Sequence, residues 1–257
     1  MEFTFYKYQG TGNDFVIIDN REAFFPKEKK ELVAKICDRR FGVGADGLLL
    51  LENHPSADFK MVYYNSDGNL SSMCGNGGRC ISHFAKFLGI IAEKATFEAV
   101  DGMHEATVKK DWVSLKMNDV EKVNVSENYT FLNSGSPHHV EMVSKLQDYD
   151  VFSNGRNIRN ETYGKEGSNI NFVEQQDEAA FSVRTYERGV EDETLSCGTG
   201  VTAVAIAMFE IGKTSENKIT LNTPGGQLQV RFENVGSVYK NVFLEGPAVQ
   251  VFKGIWK

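Results

Sequence analysis

The sequence predicts an α+β protein with two pseudo-symmetric domains, each made of mainly antiparallel strands wrapped around a central helix. Short strand patterns separated by turn residues recur along the chain without regular β–α–β alternation. The second half also repeats the order of motifs in the first half, about 123 residues later. At about 150 residues per domain, a chain of 257 residues fits one large domain or two small ones.

The pattern of apolar residues predicts the individual elements. The strand-like segments of the first half are FYKYQ, FVIID, LLLLE, FKMVYY, ATFEAV and EATVKK. Helical spacing predicts helices over 28–40 and 76–88, the second ended by Gly89. The strand-like segments of the second half are HHVEMV, NINFVE, FSVRTYE, KITLNT, LQVRFE and VFLEGPAVQVF. Its main helix, over 199–211, is apolar on almost every face, which indicates that it is buried.

The repeat is clearest in glycine-rich segments. Cys74–Gly77 aligns with Cys197–Gly200, and Gly89 aligns with Gly212 at the same spacing. We interpret the repeat as a duplication, and the alternative is coincidental spacing in a chain with 24 glycines. The predicted domains are residues 1–117, which contain Cys74, and residues 118–247, which contain Cys197.

Composition narrows the class of partner. Lys and Arg number 28 and Asp and Glu 35, so the net charge of −7 argues against binding nucleic acid or an anionic membrane. The longest apolar run, Val201–Phe209, is too short for a membrane span, and the N-terminus lacks a signal-peptide pattern. We therefore expect a cytoplasmic protein that acts on a small molecule.

The sequence does not support a dinucleotide-binding site or a metal site. Gly42–Gly47 matches G-x-G-x-x-G, but a predicted helix precedes it and a strand follows, which reverses the order that dinucleotide binding needs. The five histidines show no metal-ligand spacing with cysteine, so no metal site is predicted. Nothing in the sequence resembles a cofactor-binding lysine, and no cofactor is expected.

The four cysteines fall into two groups. Cys37 and Cys80 lie in helical patterns of apolar residues and are predicted to be core residues. Cys74 and Cys197 each come just before the first turn of a predicted buried helix. A helix N-terminus carries unbonded N–H groups and about half a positive charge, so it favours a thiolate. One such cysteine could be a structural cap, whereas its repetition in both halves favours a function.

The same helix starts suit a bound anion. The backbone N–H groups of Gly75, Asn76, Gly198 and Thr199 are predicted to form a cradle for a carboxylate. Two thiols on opposite sides of one carbon could remove a proton from one face and deliver one to the other. Such a pair inverts a stereocentre without a cofactor if the developing enediolate charge is stabilised at the helix starts.

The chain resembles the diaminopimelate epimerase family over its whole length. The matching segments are GTGNDFVIID, RRFGVGADG, YNSDG, MCGNGGRC, GSPH, GSNINFV and YERGVEDETLSCGTG. The resemblance implies cofactor-independent epimerisation of LL-2,6-diaminoheptanedioate to the meso isomer, in lysine and peptidoglycan precursor synthesis. It also implies two similar domains with the active site in the cleft between them, and a tail of about 248–257 that returns to the first domain. A homodimer is left open.

The resemblance assigns chemical roles to four residues. Cys197 matches the proton acceptor of the family and Cys74 the proton donor, with these roles reversed in the opposite direction. Glu187 is expected to accept hydrogen bonds from the substrate ammonium and to help set thiol protonation. His138 is expected to lie near the thiols and tune them.

The resemblance also assigns substrate contacts. Asn13 matches an asparagine that contacts the ligand, and Asn65 and Asn169 match asparagines that bind the distal amino-acid end. Arg188 is expected to bind the distal carboxylate as a bidentate pair. The chain departs from the family at two positions: Gly47 replaces a frequent Gln, and Ser136 replaces the usual Asn before Pro-His. Both departures bear on selectivity at the distal end.

Three other functions stay open at this point. The Cys-Gly-Asn-Gly and Cys-Gly-Thr-Gly motifs also occur, more loosely, in proline racemases and related isomerases, so proline or hydroxyproline is an alternative substrate. A redox sensor could use Cys74 and Cys197 as a thiol switch. A non-catalytic protein could bind a diamino acid without exchanging its Cα proton.

Overall fold

The computed structural model describes residues 2–257, which form two compact units. The first unit holds the described chain through Leu115 together with Gly246–Lys257, and the second is Lys116–Glu245. In chain order the strands are β1 (Phe3–Gly10), β2 (Asn13–Asp19), β3 (Gly47–Glu52), β4 (Phe59–Asn65), β5 (Lys94–Ala99), β6 (Gly102–Lys109), β7 (Trp112–Lys116), β8 (Val123–Val125), β9 (Thr130–Asn133), β10 (Pro137–Met142), β11 (Asn169–Asp177), β12 (Ala180–Glu187), β13 (Asp192–Thr194), β14 (Lys218–Thr223), β15 (Gly226–Val235), β16 (Val238–Pro247) and β17 (Val249–Trp256). The α-helices are α1 (Lys30–Cys37), α2 (Gly75–Phe87), α3 (Val151–Glu161) and α4 (Gly198–Glu210).

The two units have the same order and direction of strand pairing, although the outer strand β17 of the first unit comes from the C-terminal end of the chain. In the first unit the pairing runs β17–β1–β2–β3–β4–β5–β6–β7, with parallel pairs only at β2–β3 and β4–β5. In the second it runs β8–β9–β10–β11–β12–β14–β15–β16, with parallel pairs only at β10–β11 and β12–β14. Helices α1 and α3 occupy the first parallel crossover, and α2 and α4 the second. The predicted α+β class and its internal repeat are therefore confirmed.

Helices α2 and α4 form the centre of their respective units. Helix α2 packs against strands β1 to β4, β6 and β17, and α4 packs against β9 to β12, β14 and β15. Every residue from Val201 to Met208 is buried, as expected for a helix that is apolar on all faces. Across residues 2–257, no helix has both the length and the apolar character needed to cross a membrane.

Glycines with positive φ occur at equivalent turns of the two units. Gly89 and Gly212 follow the central helices with φ of 74° and 68°, and Gly102 and Gly226 open β6 and β15 with φ of 125° and 135°. These values lie where a Cβ atom is unfavourable, so both halves require glycine at the same turns. The spacing that the sequence showed is thus a repeat of backbone conformation.

One predicted helix is shorter than expected, and one helix of the structure was not predicted. The helix expected over 28–40 covers only Lys30–Cys37, because the Asp38 carboxylate accepts hydrogen bonds from the N–H groups of Arg40 and Phe41, both at 2.7 Å, and turns the chain. Helix α3 was not predicted, since its sequence is mostly polar. It forms because Val151 and Ile158 pack in an apolar cluster of the second unit.

Cys37 and Cys80 are core residues, as predicted. Both side chains are buried, and burial raises the pKa of each thiol to about 12. Neither thiol ionises near neutral pH, so neither is a suitable acid or base.

Candidate active site

Cys74 and Cys197 occupy the same position in the two units. Each is the N-cap residue of its central helix, with φ and ψ of −114° and 120° at Cys74 and −116° and 113° at Cys197. The Cys74 Sγ atom accepts a hydrogen bond of 3.5 Å from the Gly77 N–H. Cys74 is half-buried and Cys197 is buried. Both sulfur atoms therefore lie at the positive end of a helix dipole.

The starts of both helices lack acidic residues. No Asp or Glu lies in the first turn of α2 or of α4. The N–H groups of Gly75 and Asn76, and those of Gly198 and Thr199, belong to first turns, where no earlier helical carbonyl accepts them. Each helix start can therefore attract a carboxylate. Among residues 2–257, no three His, Cys, Asp or Glu side chains are grouped as metal ligands would be.

Asn13 lies against Cys74, and its orientation is set by a carboxylate. The Cys74 thiol donates to Asn13 Oδ1 at 3.6 Å, and the Asn76 Nδ2 group donates to the same oxygen at 3.3 Å. The Asn13 Nδ2 group donates to Asp46 Oδ2 at 2.6 Å, which turns the amide oxygen toward the sulfur. Asn13 therefore couples the β1–β2 turn to the thiol.

The carboxylate that orients Asn13 is itself held by charge. Arg39 bridges Asp46 and Asp14, with N–O distances of 2.8 and 2.7 Å. Burial alone would raise the pKa of Asp14, but hydrogen bonds from Arg39 and Lys7 lower it to about 2. Asp14 therefore stays ionised across the neutral range and holds Arg39, which in turn positions the Asp46 carboxylate that orients the Asn13 amide.

In the second unit, a chain of polar side chains ends at the Cys197 thiol. Thr199 Oγ1 lies 3.5 Å from Cys197 Sγ and 2.9 Å from His138 Nε2. On the other side of the ring, Asn171 Nδ2 donates to His138 Nδ1 at 3.1 Å. The Asn171 amide is oriented by Thr185, whose hydroxyl donates to Asn171 Oδ1 at 3.0 Å.

These contacts define the protonation of His138. Burial, together with the charge of Arg188, lowers the pKa of the imidazole to about 3. Because Nδ1 accepts from Asn171, the ring proton lies on Nε2 and is donated to Thr199. The Thr199 hydroxyl can then donate to Cys197 Sγ, and a donor in this position suits a sulfur that has to act as a proton acceptor.

We expect the buried His138 to make the protein less stable at low pH. The folded pKa lies below the ordinary value of about 6.5, so the unfolded chain binds the proton first. The contribution is complete above about pH 6.5 and is lost as the pH falls toward 3; it amounts to about 2 kcal/mol between pH 6.5 and 5. Urea unfolding at both pH values should show a shallower pH dependence in His138→Gln. An equal dependence in both proteins would contradict this assignment.

Asn169 joins His138 to the segment that carries Arg188. Asn169 Oδ1 accepts from the Arg188 backbone N–H at 2.9 Å, and Asn169 Nδ2 donates to the carbonyl of Pro137, the residue before His138, at 3.3 Å. Glu187 is the last residue of β12 and is half-buried. The Arg188 side chain is exposed, and its Nη1 group donates to the carbonyl of Glu166 at 2.9 Å. The second unit therefore brings together His138, Asn169 and Arg188.

Asn65 is not brought to the Cys74 cluster by a direct contact. It is the last residue of β4 and is exposed, and no hydrogen bond of its side chain occurs within residues 2–257. Its backbone closes the turn that follows, where its N–H donates to the Asn69 carbonyl at 2.9 Å. Its role toward a ligand stays a prediction.

The glycine at position 47 is explained by its neighbour. A Cβ atom at Gly47 would lie 2.5 Å from the ring of Tyr63 and 2.5 Å from the carbonyl oxygen of Tyr64. The Tyr63 ring also packs edge-to-face on Phe15, at 5.9 Å between centroids. A side chain at position 47 is therefore excluded here, because the aromatic ring occupies its place.

Sequence analysis missed several supporting residues. Asn171 lies two residues after Asn169 on one strand, so both face the same side of the sheet, and this spacing could have identified it. Asp46 lies in the glycine-rich segment Gly42–Gly47, and nothing in the pattern of that segment indicated that its carboxylate orients Asn13. Arg79 was visible only as part of the MCGNGGRC segment, and nothing in that pattern indicated its burial.

The comparisons with known proteins agree on one family. The sequence profile described as Diaminopimelate epimerase matches residues 5–123 and 130–251. A protein of Flavobacterium psychrophilum named diaminopimelate epimerase is 61% identical over 250 residues, covering 96% of this chain and 98% of its own. One of Chlorobaculum tepidum with the same name is 41% identical, covering 95% and 98%.

Solved structures with low sequence identity to this chain share its fold. A PhzF-family phenazine biosynthesis protein of Bacillus anthracis superposes with a TM-score of 0.79 at 14% identity, covering 100% of this chain and 99% of its own. A hydroxyproline epimerase of Agrobacterium vitis superposes with a TM-score of 0.70, also at 14% identity, covering 99% and 92%. Given the profile match and the two close relatives, this chain belongs to the diaminopimelate epimerase family.

Proposed function

We propose that this protein is an amino-acid epimerase that converts LL-2,6-diaminoheptanedioate to the meso isomer without a cofactor. The observation that supports this most directly is the pair of equivalent helices, each beginning immediately after a cysteine. A proton acceptor and a proton donor of the same chemical type suit a reaction whose product differs from its substrate only in configuration. The identity of the substrate is inferred from membership of the diaminopimelate epimerase family.

The proposed reaction moves two protons. The Cys197 thiolate removes the Cα proton, and the electrons of the C–H bond stay on the substrate as an enediolate. The Cys74 thiol then gives its proton to the opposite face of the carbon, and the electrons of its S–H bond stay on sulfur. The enzyme ends with a thiol at Cys197 and a thiolate at Cys74, and the reverse reaction restores the first state.

Stabilising the enediolate is the main energetic problem. The Cα proton of an amino acid is a weak acid, so the negative charge that develops on the carboxylate must be stabilised in the transition state. The N–H groups of Gly75 and Asn76 and of Gly198 and Thr199 are proposed to donate to that carboxylate. Preorganised backbone donors of this kind commonly contribute about 10²–10³-fold in rate each.

The distal end of the substrate is proposed to set selectivity. Arg188 offers a planar cation to a second carboxylate, and Asn65 and Asn169 offer amide groups to a second amino-acid end, while Asn13 contacts the ligand beside Cys74. Glu187 is proposed to accept hydrogen bonds from the substrate ammonium. Proline and hydroxyproline lack a second amino-acid end, so they would leave these groups without partners. The fold shared with a hydroxyproline epimerase does not by itself favour that substrate.

We also propose that the enzyme works in the cytoplasm as a homodimer. The C-terminal strand β17 exposes three large apolar side chains, Val251, Phe252 and Ile255, at 55%, 45% and 59% of their surface. Exposed apolar groups grouped on one strand favour a protein partner. Sedimentation equilibrium on the purified chain should give twice the monomer mass, and a monomer at micromolar concentration would refute the dimer.

Proton exchange at Cα tests the proposed reaction directly. In deuterated water, with no cofactor added and with a metal chelator present, LL-diaminopimelate should gain deuterium at Cα while meso product accumulates. Proline and hydroxyproline serve as matched substrates in parallel samples. Exchange with proline but not with diaminopimelate would assign the protein to a different isomerase activity. Binding of diaminopimelate without exchange would indicate a binding protein, and neither binding nor exchange would refute the proposal.

A further inference from the structure

Tyr63 is a half-buried aromatic residue near the end of β4. It comes two residues before Asn65 on the same strand, so both side chains project from the same face of the sheet. Helix α2 packs on this face: a Cβ atom at Gly77, in its first turn, would lie 3.3 Å from Met61, which comes two residues before Tyr63. Tyr63 therefore lies on the side of the sheet that carries Cys74.

The ring of Tyr63 lies over Gly47 on the neighbouring strand. In the register of the sheet, Gly47 is directly opposite Asn65 on one side and Phe15 on the other. A Cβ atom at position 47 would lie 2.5 Å from the Cε2 atom of Tyr63, so the ring occupies the place of that side chain. The ring also packs edge-to-face on Phe15. It therefore fills the space between Phe15 and Asn65.

Asn13 connects this aromatic surface to the Cys74 thiol. It comes two residues before Phe15 on β2 and faces the same side of the sheet, where its Oδ1 atom accepts from the thiol at 3.6 Å. Asn13 thus lies at the thiol and Asn65 at the end of β4, with the ring over the intervening strand between them. Phe15 is completely buried, whereas Tyr63 is half-buried, so Tyr63 is the ring that offers its surface to a ligand.

We propose that Tyr63 is a specificity-determining residue whose ring binds the three methylene groups that join the two amino-acid ends of the substrate. This role rests on the proposed function, which places the reacting end of the substrate at Cys74 and the distal end at Asn65. A methylene chain between two charged ends requires an apolar surface, because its removal from water stabilises the complex. The ring can take this position only because residue 47 is glycine, since a side chain there would displace it.

Substrates of different chain length test this role. Steady-state kinetics are measured with 2,5-diaminohexanedioate, 2,6-diaminoheptanedioate and 2,7-diaminooctanedioate, which have two, three and four methylene groups. We expect Tyr63→Ala to raise KM for the three-methylene substrate about tenfold and to change kcat less than about threefold. The ratio of its kcat/KM to those of the other two substrates should fall by about threefold or more. Tyr63→Phe keeps the ring and should restore most of the binding.

Val62→Ala is the matched control for these kinetics. Val62 precedes Tyr63 on β4 and is also half-buried, but its side chain faces the opposite side of the sheet and packs against the apolar cluster that contains α1 residues. This variant should lower the free energy of unfolding without changing the preference for chain length. If Tyr63→Ala is folded by circular dichroism and keeps the KM and the chain-length preference of the wild type, Tyr63 does not determine specificity.

Saturation-transfer NMR tests the contact without turnover and does not depend on the folding of Tyr63→Ala. In protein that is deuterated except at tyrosine, saturation of the ring protons should pass most strongly to the methylene protons of bound diaminopimelate. Tyr63→Phe then carries a deuterated ring at this position, so the transfer should fall by about half or more. An unchanged transfer in Tyr63→Phe would overturn the proposed contact.

The two measurements separate failure of this role from failure of the proposed function. Saturation transfer that depends on Tyr63, without exchange of the Cα proton in the wild type, would establish the ligand contact and refute the proposed reaction. Exchange of the Cα proton, without any transfer that depends on Tyr63, would support the reaction and refute the role of Tyr63.

Discussion

Replacing Cys197 by serine is expected to lower the rate of Cα proton exchange by about 10³-fold or more, and Cys74→Ser by a similar factor. A serine hydroxyl is a much weaker acid than a thiol, so near neutral pH it supplies neither the alkoxide base nor an effective proton donor. A positioned acid or base commonly contributes about 10²–10⁴-fold. Deuterium incorporation from solvent, followed by mass spectrometry, measures the loss.

The fold should survive both substitutions, since sulfur and oxygen differ little in size and both positions are helix N-caps. Cys37→Ala provides the control, because this thiol is buried in the core of the first unit. It should cost about 1–2 kcal/mol of unfolding free energy and leave the exchange rate unchanged. Retention of most activity in either serine variant would remove that cysteine from the mechanism.

Adding a single methyl group at Gly200 is expected to lower kcat by about 10²-fold. A Cβ atom there would lie 2.5 Å from Asn171 Oδ1 and 3.2 Å from the Cβ atom of Cys197. Asn171 is completely buried and holds His138, so it cannot withdraw without breaking that contact. A displacement of about 1 Å at a catalytic group can cost about 10²-fold in rate. Steady-state kinetics of Gly200→Ala measure the effect.

The repeat supplies a matched comparison for this variant. Gly77 is the equivalent position in the first unit, where a Cβ atom would meet the flexible end of Met61 at 3.3 Å. Gly77→Ala should therefore reduce kcat by less than about tenfold, because a methionine side chain adapts easily. Equal losses in the two variants would show that the effect comes from the helix start in general rather than from the contact with Asn171.

The sequence by itself determined the fold class, the repeat and the two cysteines at helix starts. These features depend on local order: apolar spacing identifies the helix over Gly198–Glu210, and glycine-rich segments mark its beginning and end. The position of a cysteine just before such a helix is sufficient to place its sulfur at the positive end of the dipole. The resemblance to one family added the substrate and the candidate contact residues.

The tertiary structure alone decided which polar groups support each thiol. Asn13 is oriented by Asp46, which lies 33 residues away in sequence, and His138 by Asn171, which lies on a neighbouring parallel strand. The burial of Arg79 depends on partners at Thr11 and Pro247, at opposite ends of the chain. Hydrophobic periodicity carries no information about such contacts, because it reports which face of an element is buried and not what lies against it.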